Sequence, residues 1–128
     1  MGLYQRFGSS AGSGVPATII PIDTVPTTPL QNGKSPQVSI TDFGVASSLA
    51  SEDTVAMLEL STDGFTGSIV EVSRIEVPTN GTVYKTFGRP IPVQGGQSLR
   101  VRFSQGTPGA VSAELFGEIN RDFDITDV

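Results

Sequence analysis

Beyond Pro36 the apolar residues fall at every second position in short runs, each closed by glycine, proline or asparagine. That spacing marks half-buried strands, because successive side chains of a strand point to opposite faces. Gln37 to Phe43 alternates Val38 and Ile40 with Ser39 and Thr41 and stops at Gly44, and Ala46 to Asp53 reads as a polar loop. Thr54 to Ser61 is a strand with Ala56, Leu58 and Leu60 on one face, and Asp63-Gly64 is its turn. From Ser68 to Val77 the apolar phase changes between Val72 and Ile75, which predicts a bulge near Ser73 and Arg74. Asn80-Gly81 then predicts a hairpin into a strand over Thr82 to Phe87. Arg89 to Val93 carries Pro90 and Pro92 and fits only an edge strand. Ser98 to Gln105 alternates most cleanly, with Leu99, Val101 and Phe103 inward and Arg100 and Arg102 outward. A type II turn at Thr107 to Ala110 leads to a last strand, Val111 to Ile119, in which Gly117 sits where a large inward residue is expected. Another backbone should approach closely there.

Six or seven such strands with no helical periodicity predict an all-β fold, an antiparallel β-sandwich (jelly-roll-like) or a small barrel. The first thirty-six residues break the pattern. Pro16, Pro21, Pro26, Pro29 and Pro36 share this stretch with five glycines, and its only charges are Arg6, Asp23 and Lys34. Residues before proline are driven to extended geometry, so residues 1–36 are expected to form a long arm, at about 3.1 Å per residue. Val15, Ile20 and Val25 each precede a proline, and Ile19, Ile22 and Leu30 lie between. This is more apolar surface than a solvated linker carries, and these six residues are the expected partner-binding positions of the arm. The organisation expected is therefore an arm over 1–36, a sandwich over 37–120 and an acidic tail over 121–128.

Charge narrows the partners. Thirteen acidic against eight basic residues leave a net charge of −5. That balance argues against nucleic acid, whose phosphates require clustered cations, and against anionic membranes. No apolar run approaches the roughly 20 residues of a membrane span, the start lacks the regions of a signal peptide, and Arg6 occupies the Ser or Thr position of a myristoylation pattern. The chain therefore reads as soluble. Only Lys34 and Lys85 are available to guard open strand edges, which favours an oligomer or a covering neighbour.

The chemistry is sparse. With no histidine and no cysteine, imidazole bases, catalytic triads, thiolate nucleophiles and the usual zinc sites are excluded. Asp23-Thr24-Val25 and Asp53-Thr54-Val55 resemble the aspartic-protease signature but lack its glycine. Glu114 with Glu118, and Glu59, Glu71 and Glu76, read as solvated outer-face charges rather than a glycosidase pair. Asp122, Asp124 and Asp127 lack the ordered spacing of a calcium loop, the Gly8 to Gly14 stretch lacks the lysine of a phosphate loop, and Asn80-Gly81-Thr82 matches a glycosylation acceptor only through its turn. No cofactor, metal or catalytic residue is expected, and the chain reads as a non-enzyme. Arg100 and Arg102 are candidate interface charges for an acidic neighbour such as the tail of an adjacent subunit; the alternative is a solvated face.

The proline-spaced arm through Val15-Pro16, Ile20-Pro21 and Val25-Pro26, followed by Ser/Thr/Gly-rich strands, resembles a known type of protein. The segments Gly95-Gly96-Gln97-Ser98-Leu99-Arg100-Val101 and Ala113-Glu114-Leu115-Phe116-Gly117-Glu118 share the likeness. It is to the small β-sandwich cement or decoration proteins that clamp the shells of tailed bacteriophages. The resemblance is one of style along the whole chain. It implies an arm lying across neighbouring subunits of the major capsid protein or other virion proteins, sandwiches clustered as homo-oligomers, with the trimer the expected form, and a place on the particle surface. Under this reading, removal of residues 1–36 leaves a folded domain that no longer attaches. The competing class is a carbohydrate- or receptor-binding module of a phage tail or fibre, against which stand the absence of tryptophan and the presence of only Tyr4 and Tyr84.

Overall fold

The computed structural model describes residues 2–11, 16–20, 25, 27, 36–106 and 110–120. Among them there is no helix. Eight strands run in chain order: β1 (Gly2–Ala11), β2 (Ala17–Ile20), β3 (Gln37–Ser47), β4 (Thr54–Ser61), β5 (Val70–Val77), β6 (Thr82–Gln94), β7 (Ser98–Phe103) and β8 (Val111–Asn120). They form two four-stranded sheets, ordered β1-β8-β3-β6 and β2-β7-β4-β5, with every pairing antiparallel. Only β4 and β5 follow one another within a sheet; every other connection crosses from one sheet to the other. This is the strand order of a jelly roll. The expected β-sandwich is present, and it is open rather than a closed barrel.

The inner faces meet in one core. Val38, Ile40, Phe43, Val45, Val93, Val111 and Leu115 from the first sheet oppose Ala56, Leu58, Val77, Leu99, Val101 and Phe103 from the second, all nearly or fully buried. The alternation read from β4 and β7 holds residue for residue. β3 runs further than expected, because a bulge at Thr41 resets its phase: Ile40 pairs with Gly117 of β8 while Asp42 pairs with Phe116. The Thr41 hydroxyl shares its proton between Asp42 Oδ2 (2.8 Å) and the Phe116 carbonyl (3.2 Å). Phe43, Val45 and Ser47 then face inward after Val38 and Ile40. Gly44 does not end the strand. It lies on the outer face beneath the Tyr84 ring, where a Cβ would come within 2.5 Å of Tyr84 Cε1.

The bulge expected in β5 falls at Val72, since Leu58 pairs with Ser73 and Glu59 with Glu71. It brings Ser73, Ile75 and Val77 inward, while Val70 stays 55% exposed. β6 is an edge strand, as its prolines require, and it departs from the ladder over residues 87–90. The Asn80-Gly81 turn forms with Asn80 at φ 49°, yet it does not close a hairpin. Ser47 N donates to Gly81 O (2.8 Å) and Asn80 N to Leu49 O (2.9 Å), which draws the chain across to β3 in the opposite sheet. The expected turn at residues 107–109 lies outside the described residues.

The largest correction concerns the arm. Gly2–Ala11 pairs with β8 along its whole length, from Gly2 opposite Asn120 to Ala11 opposite Val111. Ala17–Ile20 pairs with β7, Ala17 opposite Val101 and Ile20 opposite Leu99. Both are edge strands of this chain's own sandwich, so the boundary drawn at residue 36 divides one folded body. Both strands occupy proline-free stretches, one before Pro16 and one between Pro16 and Pro21, and β8 and β7 supply their ladder partners.

The close approach at Gly117 is made by side chains more than by the backbone expected: a Cβ there would lie 2.8 Å from Val38 Cγ1 and 3.0 Å from Ile40 Cδ1, with the backbone oxygen of Ser39 at 3.3 Å. These groups are buried in the middle of the first sheet. Gly117→Ala should lower stability by about 1–3 kcal/mol through overpacking, offset in part by up to about 1 kcal/mol of lost unfolded-state freedom. Urea unfolding of the variant measures the difference.

Candidate functional site

The most highly organised polar group lies on the outer face of the second sheet. The inward turn of Leu58 and Leu60 places Glu59 outward on β4, and the β4–β7 register sets it opposite Arg100. Glu59 is nonetheless only 5% exposed. Arg100 Nε donates to its Oε1 at 2.8 Å, and Arg102 donates to its Oε2 through Nη2 (3.2 Å) and Nε (3.3 Å). Both carboxylate oxygens are thus occupied by guanidinium groups. Arg100 is largely covered, its side chain 18% exposed, whereas that of Arg102 is 42% exposed. The reading of Glu59 as a solvated charge is corrected, and the two arginines are engaged within their own subunit rather than free for an acidic neighbour.

The cover over Arg100 comes from the loop after β4. The Phe65 ring centroid lies 4.4 Å from the Arg100 guanidinium carbon, a stacked cation–π contact. Phe65 adopts φ 67°, unusual for a residue with a side chain, and is held there by its N–H donating to Ser61 Oγ at 2.9 Å. Asp63 ties the rest of the loop. Its Oδ1 accepts from the Ser61 hydroxyl (2.7 Å) and Thr66 N (3.2 Å), and its Oδ2 accepts from Ser68 N (2.9 Å). Asp63-Gly64 is therefore part of a wide, internally bonded loop rather than a two-residue turn.

The Ser61 hydroxyl, followed by the backbone N–H groups of Ser68, Gly67 and Thr66, holds the Asp63 carboxyl below its ordinary 3.8 despite some desolvation. The ionised form is the one the fold favours, so the contribution is complete above 3.8 and lost as pH falls through the lowered value. The protection of the Thr66 and Ser68 amides, measured against their intrinsic exchange rates at each pH, should hold at pH 5 and fall below about 3.8, by more than that of the β7 amides. Hydrogen exchange across that range checks it.

Beside this cluster, on edge strand β5, Arg74 donates to Glu71 through Nη2 (2.9 Å) and Nε (3.2 Å). That bond, with lesser attraction from Arg74 and Arg102 charge, lowers the Glu71 carboxyl, and Glu71 raises Arg74 in turn. The outer face of the first sheet is different in kind. Tyr84 is 62% exposed and donates from its hydroxyl to Glu114 Oε1 at 2.9 Å, while Thr86 Oγ1 donates to Asp42 Oδ1 at 2.7 Å. No group of residues able to hold a metal ion occurs among the described residues.

The arm positions fare differently from expectation. Ile19 (6% exposed) and Val25 (1%) belong to this chain's own core, so they are not available to a partner. Ile20 stands in register with Leu99 as part of β2. Val15, Ile22 and Leu30 lie outside the described residues, as does the 121–128 tail. Glu59 is the residue that sequence reasoning underrated. The only signal was its outward parity between Leu58 and Leu60, and no local pattern shows that β4 lies beside β7.

No protein-family model matches the chain, and no curated protein matches it. Among solved structures, the mitogen derived from Yersinia pseudotuberculosis is similar over 99% of this chain and 94% of its own, at 10% identity and a TM-score of 0.34. A superposition that loose carries no argument about function. The class in hand is thus an eight-stranded jelly-roll sandwich with a buried carboxylate clamped by two arginines on one outer face. No helix among the described residues is long and apolar enough to cross a membrane.

Proposed function

We propose that this chain is a non-enzymatic structural protein of a virion, a cement or decoration subunit that docks on the major capsid protein or other particle proteins at the particle surface. The observation that carries the reading is where its polar chemistry goes. Glu59 is consumed by Arg100 and Arg102, Asp63 by its own loop, Asp42 by Thr86 and Thr41, and Asp53 Oδ1 by the Thr79 N–H at 3.0 Å. Carboxylates tied up in this way stiffen a body; a general acid or base needs an oxygen turned toward a substrate. Jelly rolls serve as shell and attachment domains of viruses as well as lectins, so the architecture supports the same class by analogy. Attachment then comes from the sandwich's own faces and edges, since Ile19 and Val25 are internal.

Particles from lysates carrying the intact gene, banded on a density gradient and probed with an antibody to the chain, test this. The chain should band with the particles at a constant ratio to the shell protein. Recovery only at the top of the gradient overturns the proposal.

One observation favours a second reading, a glycan- or receptor-binding module of a tail or fibre. Tyr84 offers an exposed ring next to Glu114, with Asp42 and Thr86 close by on the same face, the combination of apolar platform and polar acceptors that a sugar ring fits. A glycan-array hit abolished by Tyr84→Ala would establish it, and an array without hits removes it.

A further inference from the structure

The edge of the second sheet is built to receive another strand, and we propose that its occupant is β5 of a second copy of this chain, paired antiparallel about a two-fold axis through Ile75. This goes beyond the virion reading and does not depend on it. β5 is the outermost strand of the order β2-β7-β4-β5, and among the described residues no strand pairs with its far side. After the bulge at Val72 it runs regularly from Ser73 to Val77, with Ser73, Ile75 and Val77 buried and Arg74 and Glu76 exposed. It has neither proline nor lysine, and its bulge at Val72 confines regular pairing to the stretch after it, where the charges Arg74 and Glu76 are of opposite sign. The other edges are less suited. β6 carries Pro90, Pro92 and an interruption over 87–90, and the Lys85 ammonium lies on its inner side, donating to Ser73 Oγ at 3.1 Å. β2 has four residues and an irregular register, and β1 carries the single charge of Arg6, which no self-pairing can complement.

Charge selects the register. Directly opposite residues in an antiparallel sheet share a face, so a two-fold axis perpendicular to the sheet must pass through a residue position. With the axis at Ile75, Arg74 of each copy, already bonded to Glu71 of its own strand, lies opposite Glu76 of the other, so that each guanidinium is shared between two carboxylates, twice by symmetry. Moving the axis by one residue sets Arg74 against Arg74 or Glu76 against Glu76. The sequence therefore favours one register and penalises both neighbours.

Shape agrees. Of the three exposed large hydrophobic residues among those described, two, Ile69 (45%) and Val70 (55%), lead into β5. Antiparallel pairing carries them to the far end of the partner's β5. There a cleft of about 440 Å3 opens, its lining half polar, with Val55, Val77 and Pro78 beside Asp53, Thr54 and Glu76.

The test uses the full chain in sedimentation equilibrium. The native chain should be a dimer, and Arg74→Glu and Glu76→Arg should each raise its dissociation constant at least about tenfold, because two attractive pairs become two repulsive ones. Both substitutions are at exposed positions, and circular dichroism should show the sandwich intact. Mixing the two variants in equal amounts should restore dimers holding one of each, seen by native mass spectrometry, since every opposed pair is then of opposite charge. A native chain that is monomeric or trimeric overturns the proposal. So does a reversal that leaves the dimer unchanged, or a mixture with no mixed dimer.

Discussion

A chain shortened to begin at residue 21 should not fold cooperatively. Its loss removes β1, whose ladder with β8 runs from Gly2 opposite Asn120 to Ala11 opposite Val111, and β2, which shields the edge of β7. It also removes Ile19, 6% exposed, whose burial stabilises by roughly 1.5–3 kcal/mol. Val25, 1% exposed, sits in the same core and loses the strand that leads the chain to it. Each ladder bond lost adds about 0.5–1.5 kcal/mol, and the total stability of a domain this size is only about 5–15 kcal/mol. The expected result is a poorly dispersed proton spectrum and no sigmoidal urea transition. Folding within about 1 kcal/mol of the full chain would instead mean that both strands are appendages, and the arm would again be a candidate for attachment.

Glu59→Leu should cost about 3 kcal/mol. Breaking a buried ion pair by removing one partner usually costs about 3–5 kcal/mol because the other charge is left without a counterion. The lower figure applies because Arg102, with its side chain 42% exposed, can turn toward water; Arg100, at 18% and beneath Phe65, cannot do so without undoing the loop. The triple replacement Glu59→Leu, Arg100→Met, Arg102→Met should recover most of that loss, since apolar groups of similar volume need no desolvation of charge. Urea midpoints of the single and triple variants decide the matter. A single variant within about 0.5 kcal/mol of the native chain would show that the three charges act as an ordinary surface cluster, and a triple variant worse than the single would show that each charge is held independently.

Much of the sandwich was legible along the chain because strands β4 and β7 are half buried, with one apolar face each. Such strands advertise their orientation at every second residue, and Ala56, Leu58, Leu99, Val101 and Phe103 sit where alternation puts them. Pro90 and Pro92 declared an edge, and Gly117 declared a tight approach, for reasons local to those residues. The phase break at Val72 was readable as a bulge, displaced by one residue. The one at Thr41 was hidden, because Gly44 invites termination and only the Tyr84 ring, brought from β6, explains why a glycine continues the strand.

What residue order alone settles here is therefore the class of structure: short half-buried strands, no histidine or cysteine chemistry, an acidic and weakly charged surface. Those properties depend on periodicity and residue type, which a linear text records in full. Tertiary structure decided the rest. The segment 2–11 has no alternation of its own and becomes a strand through its ladder with β8, about a hundred residues or more away. The Asn80-Gly81 turn crosses between sheets because Ser47 and Leu49 bind it. Glu59 is clamped by Arg100 and Arg102 because β4 and β7 are neighbours in a sheet, although about forty residues separate them in the chain. Pairing energy between distant strands is a property of which strands end up adjacent, and no window of sequence contains that information.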